Sequence, residues 1–161
     1  MENASKALLM AAGVLIGILI LSLAVYLFVS FGSTSQQIHE QNEENQINEF
    51  NSKFTSYVGK NNITIYDVIT VANLATENNK KYEFDKRSFN NEPSSDYYIY
   101  VKFKNSNIEY GKSDTSKDIN DKYTEIIQNE LNNNNLNTYN CSAKINSKTG
   151  RVWNVIFTEK N

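Results

Sequence analysis

His39 is the only histidine in the chain and Cys141 the only cysteine. Transition-metal sites draw three or four ligands from His, Cys and carboxylates, so this inventory supplies no metal set. A Ser–His–Asp relay would need His39 as its base. That residue lies in a polar run, 39–46, of a segment read below as a stalk and not as a cleft. Phosphate cradles need clustered glycines, whereas Gly32, Gly59, Gly111 and Gly150 stand singly. Asp114, Asp118 and Asp121 lack the alternating acids of a calcium loop and suit the first turns of a helix better. Cys141 alternates with Ala143 on an apolar strand face, the setting of a buried, inert thiol. Four tyrosines remain: Tyr97, Tyr98, Tyr100 and Tyr110. They could present a flat partner surface, although tyrosine also covers both faces of thin sheets. The chain therefore reads as a protein without catalytic, metal or cofactor groups. The tyrosines are its candidate partner surface.

What must position these residues is divided sharply in two. Residues 7–31 carry no charged side chain, and the first charge after Lys6 is Glu40. Such a stretch spans roughly 37 Å as a helix at ~1.5 Å per residue, enough to cross a hydrocarbon core of about 30 Å. Signal-peptide apolar regions are shorter, about 7–15 residues, so the expectation is an uncleaved signal anchor. Lys6 precedes the span, while Glu40, Glu43 and Glu44 follow it. Positive-inside logic then places the N-terminus in the cytoplasm and residues 33–161 outside. Within the span, Gly13 and Gly17 form a small-x-x-x-small pair, which lets helix backbones approach closely in lipid.

Beyond the span, Gly32, Ser33, Thr34 and Ser35 read as a short joint. Ile47, Phe50, Phe54, Tyr57 and Val58 then recur at three- and four-residue steps, the apolar face of a stalk helix that Gly59 would end in a left-handed cap. Ile65, Val68, Ile69, Ala72 and Ala75 predict a second helix over 64–78, opened by Thr64 and Asp67 at capping-box spacing. The pattern changes to period two at Tyr82 and Phe84, and again over 97–103, a half-buried strand returning through 108–110. Ile119, Tyr123, Ile126, Ile127 and Leu131 predict a third helix, followed by an asparagine loop over 132–135. The chain closes on a hairpin, 139–145 and 153–157, with Gly150 in its turn.

Helices followed by antiparallel strands indicate an α+β domain. The expected organisation is a cytoplasmic end over 1–6, a transmembrane helix over 7–31 and a stalk helix over 32–58. Residues 59–161 follow as an extracytoplasmic domain with a small antiparallel sheet and two packed helices. With 21% charged residues and a net charge of −2, no nucleic-acid partner is expected. Twenty-five asparagines and a single proline match the coding bias of an AT-rich bacterium.

An uncharged N-terminal membrane helix, an amphipathic continuation and a C-terminal sheet together resemble the type IV pilin and pseudopilin plan. The resemblance covers the whole chain and is architectural. Pilin precursors carry a short charged leader ending in Gly and a Glu at the fifth mature position. Here the apolar run begins almost at Met1, and Ser5 stands at that position. Phe50, Asn51, Ser52, Lys53, Phe54, Thr55, Ser56, Tyr57, Val58 and Gly59, with Asp67 and Val68 downstream, also look like a block in uncharacterised single-pass proteins of low-GC Gram-positive bacteria. The pilin likeness implies a structural or assembly subunit of the cell membrane. It would touch lipid, and copies of itself or a membrane-complex partner, through its first helix. The other expectation is a membrane-tethered extracytoplasmic binding or accessory domain that works as a monomer.

Overall fold

A computed structural model describes residues 2–89, 91–132 and 138–160. The chain divides into two compact units, Met1–Gln46 and Ile47–Asn161. The first helix, α1 (Glu2–Thr55), supplies all described residues of the first unit and opens the second. Its apolar stretch reaches a mean hydropathy of 2.8, long and apolar enough to cross a membrane. Leu, Ile, Val and Phe side chains from Leu8 to Phe31 are all exposed there. Lys6 and Glu2 pair at 3.0 Å on an exposed helix turn. The expected joint at Gly32–Ser35 does not interrupt the helix. Ser33 and Thr34 both donate their hydroxyls to the Ser30 carbonyl at 2.9 Å, so these residues are satisfied inside the helix that they would otherwise weaken.

The second unit is α+β. The last turns of α1 carry Phe50, Phe54 and, just past the helix, Tyr57 toward its core. Gly59, at φ +80°, turns the chain out of the helical path as its type predicts. Then α2 (Ile65–Lys81) begins at Thr64, whose backbone N–H and hydroxyl both donate to the Asp67 carboxylate at 2.8 Å. Ile65, Val68, Ile69, Ala72 and Ala75 are buried, along the stripe that the 3.6-residue period predicts.

Among the described residues four strands follow: β1 (Tyr100–Phe103), β2 (Ser106–Asn107), β3 (Tyr139–Ile145) and β4 (Val152–Glu159), with α3 (Ser116–Asn132) between β2 and β3. The spatial order is β2-β1-β4-β3. β1–β2 and β3–β4 are antiparallel hairpins, but β1 and β4 run parallel, with Tyr100 opposite Asn154 and Phe103 opposite Phe157. The sheet is therefore mixed and not wholly antiparallel. Local patterning marks β1, β3 and β4, whereas β2 falls on Ser106 and Asn107, residues of turn type, and the β1–β4 pairing depends on how the intervening α3 carries the chain back. Two further expectations are corrected. Tyr82 and Phe84 form no strand, because Glu83 between them sits at φ +57° and breaks the extended path. The run 108–110 extends no ladder beyond one backbone bond, Ile108 N–H to the Val101 carbonyl at 2.9 Å. The asparagine loop lies outside the described residues apart from Asn132, which ends α3.

Both faces of the sheet are covered at its centre, while β3 leaves Asn140, Ser142 and Lys144 exposed. On one, Val101, Phe103, Tyr139, Val155 and Phe157 pack with Phe54 and the apolar stripes of α2 and α3. On the other, Tyr98, Tyr100 and Trp153 form a second cluster beneath Phe84 and Phe89. The strand expected to be half-buried is thus buried on both sides.

Candidate functional site

Gly13 and Gly17 lie one turn apart on α1. An added Cβ at either would meet no atom within 4 Å. The pair forms an open notch in an otherwise bulky apolar helix, flanked by Val14, Leu15, Ile16 and Ile18, all exposed. Small residues in such a notch admit a second helix backbone, where dispersion and weak backbone contacts replace the missing hydrophobic drive.

The four tyrosines do not form one surface. Tyr98 and Tyr100 are buried in the second cluster and Tyr110 in the main core, while Tyr97 alone is exposed, at 44%. Tyr97 stacks on Tyr82 at 4.5 Å between ring centroids. The Arg151 guanidinium lies 5.1 Å from the centre of the Tyr97 ring and 3.7 Å from that of Phe50. Burial raises the Tyr98 hydroxyl's pKa well above its ordinary value, and the same cause raises Tyr123 and Tyr139.

Three polar clusters escaped sequence reasoning. Asn51 of α1 donates to the Gly150 carbonyl at 2.7 Å and accepts the Val152 N–H at 2.8 Å, which ties the helix end to the β3–β4 turn. Lys104 bonds Glu130 at 2.7 Å and Glu159 at 2.8 Å, while Tyr139 donates to Glu130 at 2.6 Å. Burial works against the Glu130 charge, yet these hydrogen bonds hold its carboxyl below the ordinary range. Glu109 is fully buried and accepts the Val101 N–H at 3.0 Å and the Tyr98 hydroxyl at 3.4 Å. Here desolvation outweighs the hydrogen bonds and pushes the carboxyl up to about 7. In the period-two pattern Glu109 occupies an outward position, so no sequence signal marks it as buried.

Cys141 is buried on the core face and its thiol is pushed up to about 11 by burial, the reverse of an activated nucleophile. Among the described residues no three of His, Cys, Asp and Glu converge as a metal set. A cleft of about 190 Å³ between Phe50 and Phe54 of α1 and Leu74 and Glu77 of α2 is smaller than the usual ligand pocket of about 300 Å³ or more. Asp118 lies in the first turn of α3, where its carboxylate accepts the Thr115 hydroxyl at 2.6 Å, a capping role in place of a calcium ligand. No family model, curated protein or solved structure matches the chain.

Proposed function

We propose that this protein is a single-pass, membrane-anchored structural or assembly subunit of pilin-like plan, which meets copies of itself or a membrane-complex partner through α1. One observation carries the reading. The long apolar helix with an open Gly13–Gly17 notch belongs to a chain whose remaining residues close their own core. A helix needed only as a tether requires no notch, whereas a helix that packs in lipid gains its affinity there. The placement of Lys6 before the span, with Glu40, Glu43 and Glu44 after it, supports a cytoplasmic N-terminus and an outer α+β domain. A monomeric binding domain built on the sheet tyrosines would have only Tyr97 to offer, since the other three are buried.

The test has two arms. Ser116 is exposed at the start of α3, so Ser116→Cys should react with a membrane-impermeant maleimide in intact cells stripped of wall. Reaction only after lysis would reverse the orientation. In native membranes, Gly13→Ile and Gly17→Ile should weaken self-association or release a partner, with Leu19→Ile as a volume-matched control. A wild-type monomer unaffected by either change would remove the assembly reading.

A further inference from the structure

Residues 84–89 cross the aromatic face of the sheet as a strap, held by a few separate contacts. The Phe84 carbonyl accepts the Lys112 N–H at 2.8 Å, and the Tyr98 hydroxyl accepts the Arg87 N–H at 3.0 Å. The Tyr100 hydroxyl donates to the Ser88 carbonyl at 3.2 Å. Phe89 meets Tyr100 edge-on at 5.4 Å and lies parallel to Trp153 at 6.5 Å. Gly111 lets the strap seat closely, because a Cβ there would collide with the Lys86 backbone nitrogen. Glu109 lies beneath this seat, and the Tyr98 hydroxyl stands between its carboxyl and the Arg87 N–H.

The titratable and charged groups around Glu109 are Lys86 and Arg87 of the strap, Tyr98 ahead of β1, the adjacent Tyr110, and Tyr123 of α3. Neither cation bonds the carboxyl. Lys86 Nζ donates to the Asn107 carbonyl at 3.3 Å, and the Arg87 guanidinium to the Ser94 carbonyl at 3.1 Å. An ionised Glu109 is thus buried with only neutral donors, the Val101 and Glu109 N–H groups and the Tyr98 hydroxyl, and the charge of the unbonded Lys86 offsets only part of a burial cost that disfavours this state.

We propose that the strap 84–89 is a pH-sensitive cover, seated while Glu109 is neutral and released when it ionises, baring Tyr98, Tyr100 and Trp153. Any conformation that lets water reach Glu109 returns its carboxyl toward the ordinary 4.5, against about 7 in the seated form. By linkage the open-to-seated ratio then rises with pH, by up to about 300-fold between the two values. The strap is the element to move. Its seat consists of single hydrogen bonds and ring contacts, whereas α2 and β1 are locked into the main core.

Trp153 is the only tryptophan and lies under Phe89, so it reports the opening directly. The full-length chain in mild detergent would be titrated with acrylamide at pH 5 to 8, with far-UV circular dichroism followed in parallel. The quenching constant should at least double over that range at constant helicity. Glu109→Gln should hold it at the low, pH 5 level throughout. Tyr98→Phe, which keeps the carboxyl but removes the hydroxyl between it and the strap, should raise quenching already at pH 5, and it decides the matter if the Gln variant does not fold. Four results would each overturn the proposal: flat quenching in the wild type, an unchanged rise in Glu109→Gln, wild-type quenching at pH 5 in Tyr98→Phe, or a rise that accompanies loss of helicity.

Discussion

The Asn79 side chain of α2 and the Ile99 backbone exchange two hydrogen bonds: the carboxamide donates to the Ile99 carbonyl at 3.0 Å and accepts the Ile99 N–H at 2.9 Å. Both groups are completely buried. A side chain thereby does the work of a neighbouring strand, one residue before β1 begins. Thr76, one turn earlier on α2, receives the Tyr110 N–H in the same way at 3.0 Å. Asn79→Ala would leave a buried N–H and C=O without partners, at about 1–3 kcal/mol each. The expected loss is about 3 kcal/mol, read from the urea midpoint of the solubilised chain. A loss under 1 kcal/mol would show that water replaces the carboxamide.

Phe54 is 1% exposed and meets the Phe50 ring at a tilt, 5.3 Å between centroids, so the end of α1 belongs to the core of the second unit. Phe54→Ala should cost about 3–5 kcal/mol. Val58→Ala, four residues on and 46% exposed, should cost under about half a kcal/mol. Equal effects at the two positions would contradict the packing described above.

The two buried glutamates impose opposite pH slopes. Burial raises the Glu109 carboxyl from 4.5 to about 7, so the stability it contributes is fully present below pH 4.5 and is lost as pH rises through 7, by at most about 3 kcal/mol if the strap stays seated and by less if it opens. For Glu130, hydrogen bonds from Lys104 and Tyr139 overcome the burial penalty and lower the carboxyl. Its contribution is present above the ordinary carboxylate range and is lost as pH falls through the lowered value. Urea midpoints measured from pH 3 to 8 should flatten near neutrality in Glu109→Gln and on the acid limb in Glu130→Gln. The same pH profile in both variants would refute this division of roles.

Cys141 should react slowly with Ellman's reagent in the folded protein at pH 8 and at least a hundredfold faster in urea, because burial both shields the thiol and raises its pKa to about 11. Fast native labelling would mean that the β3 edge opens. The same inertness lets an introduced Ser116→Cys report topology without interference.

Legibility in the sequence followed the range of the interactions. The apolar stripe of α2 and the two strands of the closing hairpin are local patterns, and both elements appear where the periods place them, although β4 is buried on both faces and Ile145 of β3 is exposed past a register shift. The seam at Gly32–Ser35 misled because composition alone suggests a joint. The Ser30 carbonyl, which accepts both hydroxyls, becomes visible only once a helix exists. Glu109, Asn79 and Asn51 escaped for another reason. Each is a polar residue whose partner is a backbone group 8 or more positions away, and no spacing rule encodes that. The alternation over 97–103 predicts a strand with one wet face. What dries that face is the strap 84–89, whose own residues carry no regular period.

The position of β4 between β1 and β3 has a consequence for biogenesis. β1 and β3 cannot join one sheet until residues 152–159 have been synthesised, because among the described residues β4 is the only strand that pairs with both. A chain made in order from its N-terminus would thus hold no complete sheet until β4 emerged. Ribosome stalling upstream of Val152 would leave the β1–β2 hairpin and a lone β3 with no common partner, and a ready substrate for proteases.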